Sequence, residues 1–129
     1  ICLAGPAEFA PTEQIIQYLA KHDLPANFEH QTDPDLAARD ADILYTDVWV
    51  SMGCEEEAEE RKRVMSPYQV TDALLQAAKP GALFMHCMPT HPGEEVSESV
   101  LASPQAILFD QAENRLHIQK AILRQLTQS

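Results

Sequence analysis

Basic side chains are scarce in this 129-residue sequence: nine Lys and Arg stand against 20 Asp and Glu, for a formal net charge of −11. A nucleic-acid backbone or an anionic membrane surface is bound through clustered cations, so neither is an expected partner. Cysteine is scarce as well. Cys2, Cys54 and Cys87 are an odd number at irregular spacing, which argues against a disulfide framework and for a reducing, cytoplasmic setting. No apolar run approaches the roughly 20 residues that span a bilayer. Neither Gly-x-Gly-x-x-Gly nor a P-loop occurs, so dinucleotide and nucleoside triphosphate binding have no motif behind them. Nor is there a Cys-x-x-Cys or His-Glu-x-x-His pair; His86 and Cys87 are adjacent and would point to opposite faces of a strand, so no metal site is expected. An initiator Met and a basic leader are also missing. Ile1 opens directly into an apolar run, which leads us to expect a chain cut from something longer.

What is present suits a packed domain. Hydrophobic residues make up 45% and charged residues 22%, enough apolar surface to offset the entropy of ordering, at a length suited to one domain. Short apolar runs at 1–4, 27–30, 43–45, 82–86 and 106–109 predict five strands. Helical spacing at 11–22, 67–79 and 113–127, with shorter helices over 34–39 and 97–102, predicts the connections. Asp33-Pro34 pairs an N-cap with a proline at the first helical position, where a missing N–H costs nothing. Residues 54–63 read as a strongly charged helix or loop whose glutamates form a solvated face. In the last helix Leu116, Ile118, Ile122, Leu123 and Leu126 fall on one broad apolar stripe. Strands alternating with helices imply an α/β fold: a three-layer, Rossmann-like domain with a mostly parallel sheet covered on both faces.

Ligands of such sheets bind at the carboxyl ends of the strands, which selects three segments. The first runs Asp47-Val48-Trp49-Val50-Ser51-Met52-Gly53. A carboxylate beyond a buried strand, with a small hydroxyl and a glycine behind it, suits an amine-bearing molecule; equally, Asp47 could cap local backbone while Trp49 plugs the core. The second is His86-Cys87-Met88-Pro89-Thr90-His91. Its thiol is either a reactive group or an ordinary buried cysteine. The third is Asp110-Gln111-Ala112-Glu113-Asn114-Arg115. A cation near a helix start opposes the macrodipole, so Arg115 either meets an anionic ligand or pairs with Asp110 or Glu113.

Taken in order, these segments resemble the ornithine-binding, carboxyl-terminal domain of the ornithine carbamoyltransferase family. Tyr45 to Gly53 is similar to the family's ornithine-side loop, Met85-His86-Cys87-Met88-Pro89 to its H-C-L-P loop, and Asp110 to Arg115 with Leu116-His117 to its A-E-N-R-L-H element. Tyr68-Gln69-Val70 fits as well, and the resemblance covers nearly the whole chain. The Ser-Met-Gly loop resembles that of ornithine enzymes rather than relatives acting on putrescine, acetylornithine or aspartate. Two departures stand out. Met88 replaces the usual Leu, a nearly volume-conserving change, and His91-Pro92 replaces a pairing that includes Arg.

The resemblance implies transfer of a carbamoyl group from carbamoyl phosphate to the side-chain amine of L-ornithine, giving L-citrulline and phosphate. Asp47 and Cys87 would position that amine and help take its proton, Cys87 acting as a polar orienting group. Ser51 and the backbone at Met52 would bind the amino-acid end, the backbone at Met88 would touch the reacting groups, and Arg115 would polarise the carbamoyl oxygen or neutralise phosphate. No metal or organic cofactor is implied. Nothing here matches the family's amino-terminal Ser-Thr-Arg-Thr-Arg phosphate loop or its His-Pro-x-Gln element. The expectation is therefore residues 1–129 as an incomplete ornithine-binding domain, truncated by one strand and helix, inactive alone, from a homotrimer or a multiple of trimers. Two other readings stay open: a non-catalytic amino-acid-binding module, and a carbamoyltransferase for another amine.

Overall fold

The computed structural model describes residues 1–24, 27–50, 53 and 55–128. Among the described residues four strands run in chain order: β1 (Cys2–Ala4), β2 (Glu29–Gln31), β3 (Ile43–Thr46) and β4 (Leu83–His86). Among the described residues six α-helices connect and follow them: α1 (Glu13–Lys21), α2 (Pro34–Ala38), α3 (Ala58–Met65), α4 (Asp72–Ala77), α5 (Glu98–Leu101) and α6 (Leu108–Thr127). The chain is mixed α/β and its strands pair in parallel, β1 with β2 and β3 with β4. Among the described residues these are two separate two-stranded sheets, not the single larger sheet expected. Between them lies a groove of about 840 Å³, lined by 1–4 of the first sheet and 43–46 of the second together with Trp49, Met65 and Tyr68.

Local chemistry sets several element boundaries. Asp33 Oδ1 accepts from the amides of Asp35 at 2.9 Å and Leu36 at 3.2 Å, and Pro34 follows as the first residue of α2, as the sequence predicts. Thr71 and Ser97 cap α4 and α5 in the same way. The predicted helix over 67–79 is interrupted. Ser66–Tyr68 forms one tight turn, and Val70 then bridges to Val96, because the loop 91–96 takes up its backbone: Val70 N–H donates to Glu95 O and Ser97 N–H to Val70 O. Residues 55–65 are helical, with Arg61 and Arg63 paired to Glu57 and Glu60 one turn back.

The predicted fifth strand over 106–109 is absent. Only Ala106 bridges to Phe84, and Leu108 already begins α6. Leu108 is buried in the core, so starting the helix five residues earlier than its apolar stripe suggests lets its first turn seal the core edge. That core surrounds β4: Phe84, Val96 and Val100 are fully buried, joined by Ala38, Val70, Leu74, Leu75 and Leu108. The stripe on α6 is different. Leu116, Ile118, Ile122, Leu123 and Leu126 are each more than half exposed. Among the described residues no helix is long and apolar enough to cross a membrane.

Candidate active site

β3 and β4 are in register with Thr46 opposite His86. The next residue of each strand, Asp47 and Cys87, therefore stands beside the other although 40 positions separate them in sequence. Cys87 Sγ donates to Asp47 Oδ1 at 2.9 Å, and the same oxygen accepts the Val48 amide at 2.7 Å. The bond from Cys87 holds the Asp47 carboxyl below its ordinary range, against a smaller opposing effect of burial. Burial, followed by the adjacent carboxylate, pushes the Cys87 thiol up. Carboxylate and neutral thiol is the arrangement both shifts favour, and a thiol kept protonated orients a ligand better than it attacks one.

The last helix arrives at the same corner. Gln111 Oε1 accepts the His86 amide at 2.9 Å while its Nε2 donates to the Tyr45 hydroxyl at 3.1 Å, so one side chain ties α6 to both strand ends. One turn later Arg115 donates from a guanidinium nitrogen to the Cys87 carbonyl at 3.1 Å. Arg115 lies in the second turn of α6 rather than at a helix start, because α6 begins at Leu108. The anticipated conflict with the macrodipole is thereby removed. Its hydrogen bond goes to neither Asp110 nor Glu113, and Glu113 instead faces His117 at 3.7 Å. Asp47, Cys87 and Arg115 thus share one corner. Ser51 and Met52, the remaining predicted contacts of the amino-acid end, lie outside the described residues.

Met88 sits in the left-handed region with φ +63°, a conformation that costs a non-glycine residue free energy and must be held in place. Its amide donates to His86 Nδ1 at 2.9 Å, and its side chain packs against the core. Because Nδ1 accepts, the network assigns the imidazole proton to Nε2. That nitrogen faces Glu95 Oε1 at 3.4 Å, and Glu95 Oε1 also accepts the His91 amide at 2.6 Å. Both side chains are fully buried. Burial lowers the His86 pKa despite the carboxylates nearby, which matches the neutral ring that accepting from Met88 requires. Gln69 clamps the same loop from outside, donating to the carbonyls of Gly93 and Glu94 at 2.8 and 2.7 Å.

Sequence reasoning placed His86 only as a neighbour of Cys87 and missed Glu95. The available signal was an acidic residue set directly against Val96, in front of the Ser97 cap. The Tyr68-Gln69-Val70 element, singled out by resemblance, gains a structural account. Gln69 and Val70 hold the loop that carries Cys87, and the Tyr68 hydroxyl donates to Thr32 O at 2.8 Å.

Residues 1–126 match the family model for the "Aspartate/ornithine carbamoyltransferase, Asp/Orn binding domain". The chain is 47% identical over 125 residues to the anabolic ornithine carbamoyltransferase of Pyrococcus furiosus, covering 95% of this chain and 40% of that protein. It is 49% identical over 125 residues to the ornithine carbamoyltransferase of Hyperthermus butylicus, with the same coverage. Among solved structures, the ornithine carbamoyltransferase from Pyrococcus furiosus superimposes with a TM-score of 0.79 at 48% identity, over 95% of this chain and 40% of that one. The anabolic enzyme from Campylobacter jejuni gives a TM-score of 0.89 at 30% identity, over 99% and 43%. The chain therefore spans about 40% of the length of these curated relatives.

Proposed function

The chain belongs to the aspartate/ornithine carbamoyltransferase family through its Asp/Orn-binding domain, and on that premise we propose that it forms the ornithine side of an ornithine carbamoyltransferase site. The observation that carries this reading is the register of β3 and β4, which sets Cys87 Sγ 2.9 Å from Asp47 Oδ1 beside Arg115. In the reaction the free side-chain amine of L-ornithine attacks the carbamoyl carbon, the bond to the phosphate oxygen breaks, and the nitrogen gives up a proton as the C–N bond forms. An alkylammonium with a pKa of about 10 is mostly protonated at neutral pH, so the site must place the amine and let its proton go. Asp47, held as a carboxylate, accepts hydrogen bonds from the amine, and the neutral Cys87 thiol fixes its direction. A carboxylate of lowered pKa is a weak base, so Asp47 works mainly by placement, and the proton passes to the departing phosphate, the stronger base. Arg115 stabilises negative charge on the carbamoyl oxygen or the departing phosphate. Ser51 and Met52 hold the amino-acid end of ornithine, and the Met88 backbone lines the reacting centre.

The remaining parts of the protein, in this reading, supply the carbamoyl-phosphate domain, assemble it into trimers and act in the cytoplasm. Residues 1–129 are then an incomplete domain. The groove between β1 and β3 supports this: one further parallel strand seated there would join both pairs into the continuous middle layer of a three-layer, Rossmann-like fold. Steady-state citrulline formation by the full-length protein tests the assignment. Asp47→Asn should lower kcat/KM for ornithine by about 100-fold or more while the KM for carbamoyl phosphate changes little. An Asp47→Asn protein with kcat/KM close to wild type would sink the proposal, as would a wild type that prefers putrescine or acetylornithine. The 129-residue chain alone should form no citrulline.

A further inference from the structure

The loop between β4 and α5 holds a second convergence of ligating atoms, apart from the Asp47–Cys87 pair. His91, Glu94 and Glu95 bring one imidazole nitrogen and two carboxylates within 4.8 Å of one another. Glu95 distinguishes this group from a solvated acidic cluster. Its side chain is fully buried, and while Oε1 takes the His91 amide, Oε2 has no hydrogen-bond partner. A buried carboxylate oxygen left unpaired is costly, and a cation beside it removes that cost. His91 Nδ1 stands 3.8 Å from Glu95 Oε2. An ion bonded to each at about 2.1 Å can bridge any separation up to about 4.2 Å, so one ion fits between them. The site already attracts positive charge: Lys62 Nζ lies 2.7 Å from Glu94 Oε1.

We propose that His91, Glu94 and Glu95 bind a divalent transition-metal ion of the zinc class, which displaces the Lys62 ammonium from Glu94. One imidazole nitrogen and two carboxylates suit such an ion, whereas Mg²⁺ prefers an all-oxygen, largely hydrated octahedron. The half-exposed His91 side chain gives access from solvent. The ion engages Oε2 and leaves Oε1 on the His91 amide and facing His86, so it braces from beneath the loop that presents Cys87. Adjacent Gln69 already anchors the carbonyls of Gly93 and Glu94, which keeps the ligands together.

Calorimetric titration of the chelator-stripped, full-length protein with Zn²⁺ and, separately, Mg²⁺ tests the site. One equivalent of Zn²⁺ should bind and Mg²⁺ should bind far more weakly. His91→Ala and Glu94→Gln should each weaken Zn²⁺ binding by about tenfold or more. Lys62→Met should tighten it, since the competing ammonium is gone. Zn²⁺ affinity unchanged in His91→Ala, or unchanged in Lys62→Met, overturns the proposal, as does a wild type that binds no Zn²⁺. Asp47, His86 and Cys87 form another group of donor atoms within 4.8 Å of one another, so Co²⁺ substitution separates the two. A spectrum free of thiolate-to-metal charge transfer supports the His91 site. An intense charge-transfer band that vanishes in Cys87→Ser places the ion at the thiol and refutes it.

Discussion

Replacing Gln111 by Ala would cut both bonds that tie α6 to the ends of β3 and β4, and the two losses differ in size. His86 is fully buried, so its amide, deprived of the Gln111 oxygen, is stranded away from water at a cost of about 1–3 kcal/mol. The Tyr45 ring is more than half exposed, and its hydroxyl exchanges Gln111 for solvent at almost no cost. The total expected for Gln111→Ala is therefore about 1–3 kcal/mol, a visible fraction of the roughly 5–15 kcal/mol by which domains are stable. In urea denaturation the midpoint should fall by an amount on the order of 1 M with the slope unchanged. Tyr45→Phe, removing only the exposed bond, should stay within about 0.5 kcal/mol. Because Arg115 follows Gln111 by one turn, kcat/KM for ornithine in the full-length protein should fall in parallel for Gln111→Ala alone. Wild-type stability in Gln111→Ala, or an equal loss in Tyr45→Phe, would refute the division between buried and exposed bonds.

Three further outcomes follow from the local chemistry. Asp33→Ala removes the acceptor of two amides at the start of α2 and should cost about 0.5–2 kcal/mol in the same denaturation series. His86 has a folded-state pKa below its ordinary 6.5, so the fold favours the neutral ring. That contribution is complete above pH 6.5 and is lost as pH falls below it; thermal melts should decline across that range, and the part of the slope due to His86 should vanish in His86→Asn. The Cys87 thiol, raised above 9.0 mainly by burial and then by Asp47, should react slowly with iodoacetamide at pH 9.0. Asp47→Asn should accelerate that reaction at fixed pH, read by mass spectrometry on the Cys87 peptide, and an unchanged rate would contradict the pairing.

The strand-end rule makes the site partly readable in the sequence. It selects Asp47, Cys87 and Arg115 as separate suspicions; parallel pairing of β3 and β4 sets Asp47 beside Cys87, and α6 delivers Arg115 to the same corner. The register that makes Asp47 and Cys87 neighbours is a property of long-range pairing, which no local pattern encodes. An element whose end carries a cap was also readable, as at Asp33-Pro34. Where boundaries failed, tertiary demands overrode local spacing. Ala106 to Phe109 is as apolar as a strand, yet Leu108 gains more by sealing the core as the first residue of a helix. Val70 lies within a helical pattern, yet its backbone is claimed by the loop at 95–97. His86 and Glu95 were invisible as a pair because a buried imidazole facing a carboxylate leaves no periodic trace.

The 20-residue helix α6 is tied near its start by Gln111 and exposes apolar side chains along its outer turns. At a rise of about 1.5 Å per residue, Arg115 lies roughly 6 Å beyond that clamp and Leu126 roughly 22 Å beyond it. Rigid tilting about Gln111 would therefore move these two positions by unequal amounts. Were α6 to tilt rigidly about Gln111, a displacement of about 2 Å near Leu126 would be reduced about fourfold at Arg115, to about 0.5 Å. A substitution along the outer turns that tilted the helix about Gln111 would therefore reach the Cys87 corner in that reduced proportion.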